Sequence, residues 1–373
     1  MVRSNTSALG IIFPNSYDAL VPDLVNVRLM ASIPFASRYR LIDFILSSMT
    51  HCDINNISVM VNNNYHSLMD HLDSGREWDL ARKIGGLTIL PPYARAKAGM
   101  YRGNLDALNG IYAFLASSKA KYVLLCDCDI VANIDYNAML AAHEESGAGV
   151  TILCGRYDVA PHHGEDLILS IQENGFLRDA FQSAGVGGEQ DVYMNAAIFD
   201  RELLLRLTAD GVSHGQYSIN GVISEQARSN NVYCYRCGGW SYHIHNLTEY
   251  FAANMALLDE KVRQELFLPE RPILTKIRDE APAKYGLSSS VKNSLVADGC
   301  IIEGTVENSV IFRGVKIGQG AVVKNSIIMQ STVVNNNAEL EYVVLDKDVL
   351  IKDGRRLAGY LTYPLYVPKK SHI

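Results

Sequence analysis

The string Asn-Ser followed by two aliphatic residues recurs in the last quarter of the chain, at Asn293-Ser-Leu-Val, Asn308-Ser-Val-Ile and Asn325-Ser-Ile-Ile, and a weaker copy begins at Glu341-Tyr-Val-Val. Successive copies start 15, 17 and 16 residues apart. Glycine-bearing triplets lie between them, such as Ala-Asp-Gly299, Phe-Arg-Gly314 and Gly318-Gln-Gly320. So short a strand cannot bury a core by itself. Stacked on its own copies it can, and a turn after every few residues leaves the parallel coil as the expected outcome. The repeat therefore predicts a left-handed parallel β-helix of hexapeptide sides, with four coils over residues 289–373.

The pattern upstream is different. Ser7-Ala-Leu-Gly-Ile-Ile-Phe13, Asn56–Val61, Tyr122–Cys126 and Val150–Cys154 are nearly continuous apolar runs, as expected of strands buried on both faces. Helical spacing separates them: Ile42, Ile45, Leu46 and Met49 within 38–50, the stretch 65–72, and Leu108, Ile111, Tyr112 and Leu115 within 105–117. Leu87–Leu90 is a short strand stopped by Pro91-Pro92, residues 167–181 form a hairpin turning at Glu173-Asn-Gly175, and 246–260 form a helix capped by Asn246. Alternating strands and helices imply a Rossmann-like α/β domain with a mixed, mainly parallel sheet over residues 1–268. The stretch 269–288, with three of the eleven prolines, reads as a linker.

Composition narrows the function classes. The net charge is −6 and no Lys/Arg run reaches five residues, so neither nucleic-acid binding nor a membrane-surface patch is expected. The first ten residues show no secretory leader, and no apolar run approaches the ~20 residues needed to span a bilayer, so a cytoplasmic protein is expected. The seven cysteines are odd in number and mostly sit in apolar runs, as reduced thiols do. Cys234-Tyr-Arg-Cys237 is a lone C-x-x-C with no second pair at zinc-ribbon spacing, and a strand is the better reading of it.

At Ser37-Arg-Tyr-Arg-Leu-Ile-Asp-Phe44 the sequence resembles the ADP-glucose pyrophosphorylase (glucose-1-phosphate adenylyltransferase) family. The resemblance continues through Asn133–Leu140, Thr248–Met255, Ala281-Pro-Ala-Lys-Tyr285 and Val344-Leu-Asp-Lys-Asp-Val349, and so covers essentially the whole chain. It implies a fold that joins a nucleotidyltransferase domain to the β-helix. The implied chemistry is attack of a sugar 1-phosphate on the α-phosphate of ATP. That reaction needs backbone N–H groups, cations and Mg²⁺ aimed at the phosphoryl oxygens.

The resemblance also shows what is missing. The family's glycine-rich phosphate loop is matched by Asn15-Ser-Tyr-Asp-Ala-Leu-Val21, which has neither glycine nor arginine and carries Asp18. Of the metal-binding carboxylates it implies, Asp129 survives, with Asp127 as an extra one two residues earlier, while His243 stands at the second position and His245 follows. Mg²⁺ prefers oxygen ligands, so imidazole is a poor replacement, and two histidines fall short of a site for a softer metal. Ser183 stands where the family has its sugar-phosphate lysine, Asn195 replaces a glycine of the sugar site, and Gln216-Tyr-Ser-Ile-Asn220 replaces another of its segments. No catalytic set is intact: Asp129, His243 and Ser183 are its degenerate remnants, and Asp129 is the one candidate left for the metal.

Other segments persist. Gly103, Asn104 and Asp106 match the base-side loop and imply a nucleotide-binding remnant, flanked by Arg95, Lys97 and Arg102. Arg28 and Arg40 stand where allosteric relatives hold phosphorylated effectors; surface salt bridging is the plainer reading of two arginines. Val27, Met30 and Pro34 stand where relatives often have a cation or histidine. The whole pattern resembles the GlgD-type regulatory subunit of bacterial glycogen synthesis. That resemblance implies a partner, a catalytic subunit in a heterotetramer, or else a homo-oligomer. A divergent but active adenylyltransferase is the alternative. An acyltransferase is disfavoured, because no histidine lies between His245 and His372 to serve as base in the coils.

Overall fold

The computed structural model describes residues 8–61, 64–91, 101–159 and 166–373. The chain divides into two compact units, and the division is not a single cut. One unit gathers Met1–Ser16, Phe44–Tyr65 and Leu72–Ser241; the other gathers Tyr17–Asp43, His66–His71 and Tyr242–Ile373.

The first unit is built on a mixed sheet. Strand Ala8–Phe13, all six residues buried, lies between Asn56–Met60 and Tyr122–Asp127 and runs parallel to both. Gly86–Leu90 extends this parallel part at one edge. The 13-residue strand Gly188–Asp200 pairs antiparallel with Tyr122–Asp127 and with Val150–Val159. Val232–Arg236 adds parallel to Val150–Val159, so Cys234 is an ordinary buried strand residue. The hairpin expected near Asn174-Gly175 forms between Leu167–Ile171 and Leu177–Gln182.

Two helices depart from their sequence patterns. The helix expected over 105–117 is two, Asn104–Gly110 and Tyr112–Ser117, broken at Ile111 (φ −108°, ψ 19°). Leu105, Leu108, Ile111 and Leu115 stay buried, while the break turns Tyr112 out to solvent. The helix expected from Arg38 starts at Leu41, because Tyr39–Arg40 first pairs antiparallel with Pro34–Phe35. The Asp43 carboxylate then accepts the Arg40 backbone N–H (2.9 Å), satisfying a donor at the helix start.

The second unit contains the predicted β-helix: three sheets, each of five parallel strands. Five strands per sheet correct the expectation of four coils. The coil begins with strand Lys284–Tyr285, inside the stretch expected to be linker. Val344 pairs with Ile327, so the fourth copy of the repeat is centred on Tyr342 rather than on Glu341. Asn293, Asn308, Asn325 and Tyr342 all adopt φ between 41° and 51°, the left-handed region that asparagine tolerates better than most residues. The serine after each asparagine accepts the backbone N–H one rung along: Ser294 from Ser309, Ser309 from Ser326 and Ser326 from Val343, each at 3.1 Å. Inside, Val306, Val323, Leu340, Ile317, Val334 and Ile351 stack as a continuous apolar core. Helix Leu247–Ala256 carries the expected cap, Asn246 accepting from Glu249 N–H (2.8 Å), but it stops before 260, and Asp259 caps a separate helix, Glu260–Leu266. Among the described residues, no helix is long and apolar enough to cross a membrane.

Candidate functional site

In the first unit the two carboxylates Asp127 and Asp129 stand at the end of strand Tyr122–Asp127, but each is enclosed differently. Asp127 accepts a hydrogen bond from the Ser16 hydroxyl and longer ones (3.4 Å) from the Asn104 side-chain amide. Ser16 also contacts the Asn104 side-chain oxygen at 3.1 Å, closing a three-residue polar knot. Burial, reinforced by the neighbouring charge of Asp129, pushes the Asp127 carboxyl well above the usual carboxylate range. Asp129 is fully buried and accepts from the Asn195 amide at 2.6 Å. Asn195 holds φ 46°, in the left-handed region, and aims its amide at the carboxylate.

Beside this knot lies a cavity of about 280 Å³, lined by Phe13, Ser16, Met60, Tyr101, Gly103 and Asn104 among others. Gly103 is required there, since a Cβ would sit 2.3 Å from the Tyr217 carbonyl oxygen, the group that accepts Leu105 N–H. Asp106 is tied to Arg102, whose guanidinium also lies 3.8 Å from the centre of the Tyr217 ring. Arg102 is thus held on this loop; Arg95 and Lys97 lie outside the described residues. Ser183 is buried at a turn, its N–H bonded to Asp166 C=O (2.9 Å), with no charge to offer a phosphate.

The second unit holds the other sequence-predicted residues. His243 and His245 are buried with ring centres 5.2 Å apart, and the His245 backbone N–H donates to Glu249 (2.7 Å). Asp18 accepts Met30 N–H (2.8 Å); burial lifts its carboxyl to about 6, against the lowering effect of that bond. Met30 and Pro34 are core residues, and Val27 is half exposed.

Arg28 and Arg40, paired in the sequence reading, have different surroundings. One Arg28 nitrogen contacts both oxygens of Asp346 at 2.8 Å, and both side chains are 1–2% exposed. The same carboxylate accepts the Tyr366 hydroxyl (2.8 Å) and the Lys347 backbone N–H (2.6 Å). Arg28 is therefore a buried structural cation rather than the surface one expected. Arg40 faces a hollow of about 160 Å³ that is also lined by Arg38, His71, Lys276, Arg278, Arg313 and Lys347. Among the described residues, Asp348 is the only carboxylate in its lining. Arg40 donates to the Ser67 carbonyl (2.6 Å), and burial lowers its guanidinium to about 10. His71 bonds Asp43 at 2.6 Å, with burial holding its imidazole below the usual value. Arg313 is 6% exposed, and its Nε has no hydrogen-bond partner among the described residues. A buried guanidinium N–H without an acceptor costs on the order of 1–3 kcal/mol, a cost that an anion in the hollow would remove. Six cations against one carboxylate make this hollow suited to a compact polyanion. Arg278, Arg313 and Lys347 are scattered over 70 residues of sequence, and no local spacing announces them.

Comparison with known proteins agrees with both parts of the fold. The nucleotidyl transferase family matches residues 25–164, and the GlmU-like C-terminal hexapeptide family matches residues 281–359. The glycogen biosynthesis protein GlgD of Geobacillus stearothermophilus is 39% identical over 320 residues, covering 86% of this chain and 83% of that one. The glycogen biosynthesis protein GlgD of Bacillus subtilis is 34% identical over 369 residues, covering 98% and 96%. The glucose-1-phosphate adenylyltransferase of Fervidobacterium nodosum is 30% identical over 357 residues, covering 94% and 85%.

Proposed function

The chain belongs to the family of GlgD glycogen biosynthesis proteins and glucose-1-phosphate adenylyltransferases, and we propose that it is a regulatory subunit of that enzyme in glycogen biosynthesis, with little or no catalysis of its own. The observation that carries this reading is the closure of the two strand-end carboxylates. Phosphoryl transfer by such enzymes relies on Mg²⁺ held by ionised oxygen ligands. Here Asp127 is driven toward its neutral form and capped by Ser16 and Asn104, and Asp129 receives an amide donor. These residues do not fit a Mg²⁺ site. The loop that would cradle phosphate carries Asp18, and Ser183 stands where a lysine is needed. Each lost transition-state donor typically costs ~10²–10³ in rate, so the combined loss removes useful turnover.

What this chain retains is the cation-lined hollow of the second unit. We assign it to a phosphorylated effector, whose binding would be communicated to a catalytic partner in a mixed oligomer. The test is ADP-glucose synthesis with Mg²⁺ by this chain, by a catalytic homologue from the same organism, and by the two co-purified. The chain alone is expected to sit at background and to change the partner's turnover or effector response. Turnover by the purified chain, abolished by Asp129→Asn, would overturn the proposal in favour of a divergent catalyst.

A further inference from the structure

Lys347 differs chemically from the other cations of the hollow. It lies on the turn between strands Val343–Leu345 and Leu350–Ile351, and its amine makes no ion pair or hydrogen bond among the described residues. Arg28 and Arg40 act on it from the N-terminal part of the unit and Lys369 from the C-terminal part, all three repelling its charge. His71 acts from its short helix, and Arg38, Lys276, Arg278 and Arg313 complete the positive lining. Of the two carboxylates nearby, Asp346 attracts the Lys347 charge, but less than Arg40 and Arg28 repel it, and both carboxylates are shared with other groups. Asp346 serves Arg28, Tyr366 and the Lys347 backbone N–H, and Asp348 lies 3.9 Å from Lys369.

We propose that anion binding in this hollow is proton-linked through Lys347, whose Nζ takes up a proton from solvent when an anion settles among the surrounding cations. The inference rests on the hollow being an anion site, as assigned above. Burial, then Arg40 and Arg28, lower the Lys347 amine to about 7. An anion placed among these cations cancels part of their repulsion, so the bound state holds the proton more tightly than the free one. One linked proton means that affinity falls by up to roughly tenfold per pH unit above the free amine's value. His71 is the other group in the hollow able to titrate near neutrality, and burial favours its uncharged form.

The experiment is calorimetric titration of the intact protein with sulfate, whose charge stays constant from about pH 6.5 to 8.5. Repeating it in buffers of different ionisation enthalpy counts protons directly on the unmodified chain. The expected result is close to one proton taken up at the alkaline end, and affinity falling about tenfold between pH 7.5 and 8.5. Lys347→Arg should still bind sulfate but with an affinity that no longer depends on pH; His71→Gln, whatever its effect on affinity, should keep the pH dependence. Saturable binding without proton uptake, or a pH dependence that survives in Lys347→Arg or disappears in His71→Gln, overturns the proton linkage alone. If the folded protein shows no saturable sulfate binding at any pH, the anion site itself is refuted and the linkage with it.

Discussion

Asn195 joins two properties that a glycine could not. It tolerates φ 46°, and its amide satisfies the buried carboxylate of Asp129 at 2.6 Å. Asn195→Ala loses both, and urea unfolding is expected to show a loss of ~1–3 kcal/mol. Asn195→Gly loses only the hydrogen bond and should fall between wild type and alanine; equal losses for the two would show that the backbone conformation carries no energy. Asp18 illustrates the opposite balance. Its folded-state value of about 6 lies above the ordinary 3.8, so the folded protein binds that proton more tightly than the unfolded chain. Burial of the ionised form therefore costs stability above pH about 6, and the cost is relieved as pH falls toward 4. Asp18→Asn keeps an oxygen for Met30 N–H, so the variant should be the more stable protein at pH 7.5. Its advantage should close between pH about 6 and about 4, as read by paired denaturation curves.

The serine ladder shows why the repeat is so legible at the scale of elements. Each Ser hydroxyl accepts the N–H of the next rung, beside an asparagine whose backbone turns the corner. The side chains that close a turn are therefore the ones that recur, and the period can be read directly from them. Ser309→Ala would leave the buried Ser326 N–H without its acceptor, for an expected cost of ~1–3 kcal/mol. Ser294→Ala, at the more exposed first rung, should cost less, because water can replace the lost hydroxyl. Equal thermal shifts for the two would rule out the ladder as a stabilising device. The interrupted helix over 104–117 was less legible. Apolar spacing continues through the break, and only the packing turns Tyr112 away from the core.

Across the whole molecule, the second compact unit draws residues 17–43 and 66–71 together with the C-terminal third of the chain. Within that unit, Arg28 and Asp346 are 318 positions apart and form a pair almost inaccessible to water. Arg28→Leu would leave the Asp346 charge buried without its cation, and an expected cost of ~3–5 kcal/mol should appear in chemical unfolding. Arg28→Leu combined with Asp346→Asn should recover part of that loss, since the unpaired charge is then gone. A double variant no more stable than Arg28→Leu alone would argue that packing of the arginine stem, rather than charge, sets the cost.

Local pattern alone determined the β-helix, the buried parallel strands and the hairpin at Asn174-Gly175, because each is written in residues close together in sequence. Tertiary structure decided the rest. It put Arg28 in a buried pair and Arg40 in a cation-lined hollow, although the two look alike as sequence. It gathered Arg278, Arg313 and Lys347 around Arg40, and Ser16 and Asn104 around Asp127. Periodicity reports which face of an element is buried, whereas the charge state and partners of a polar group depend on what the fold places within a few ångströms of it, often from hundreds of residues away.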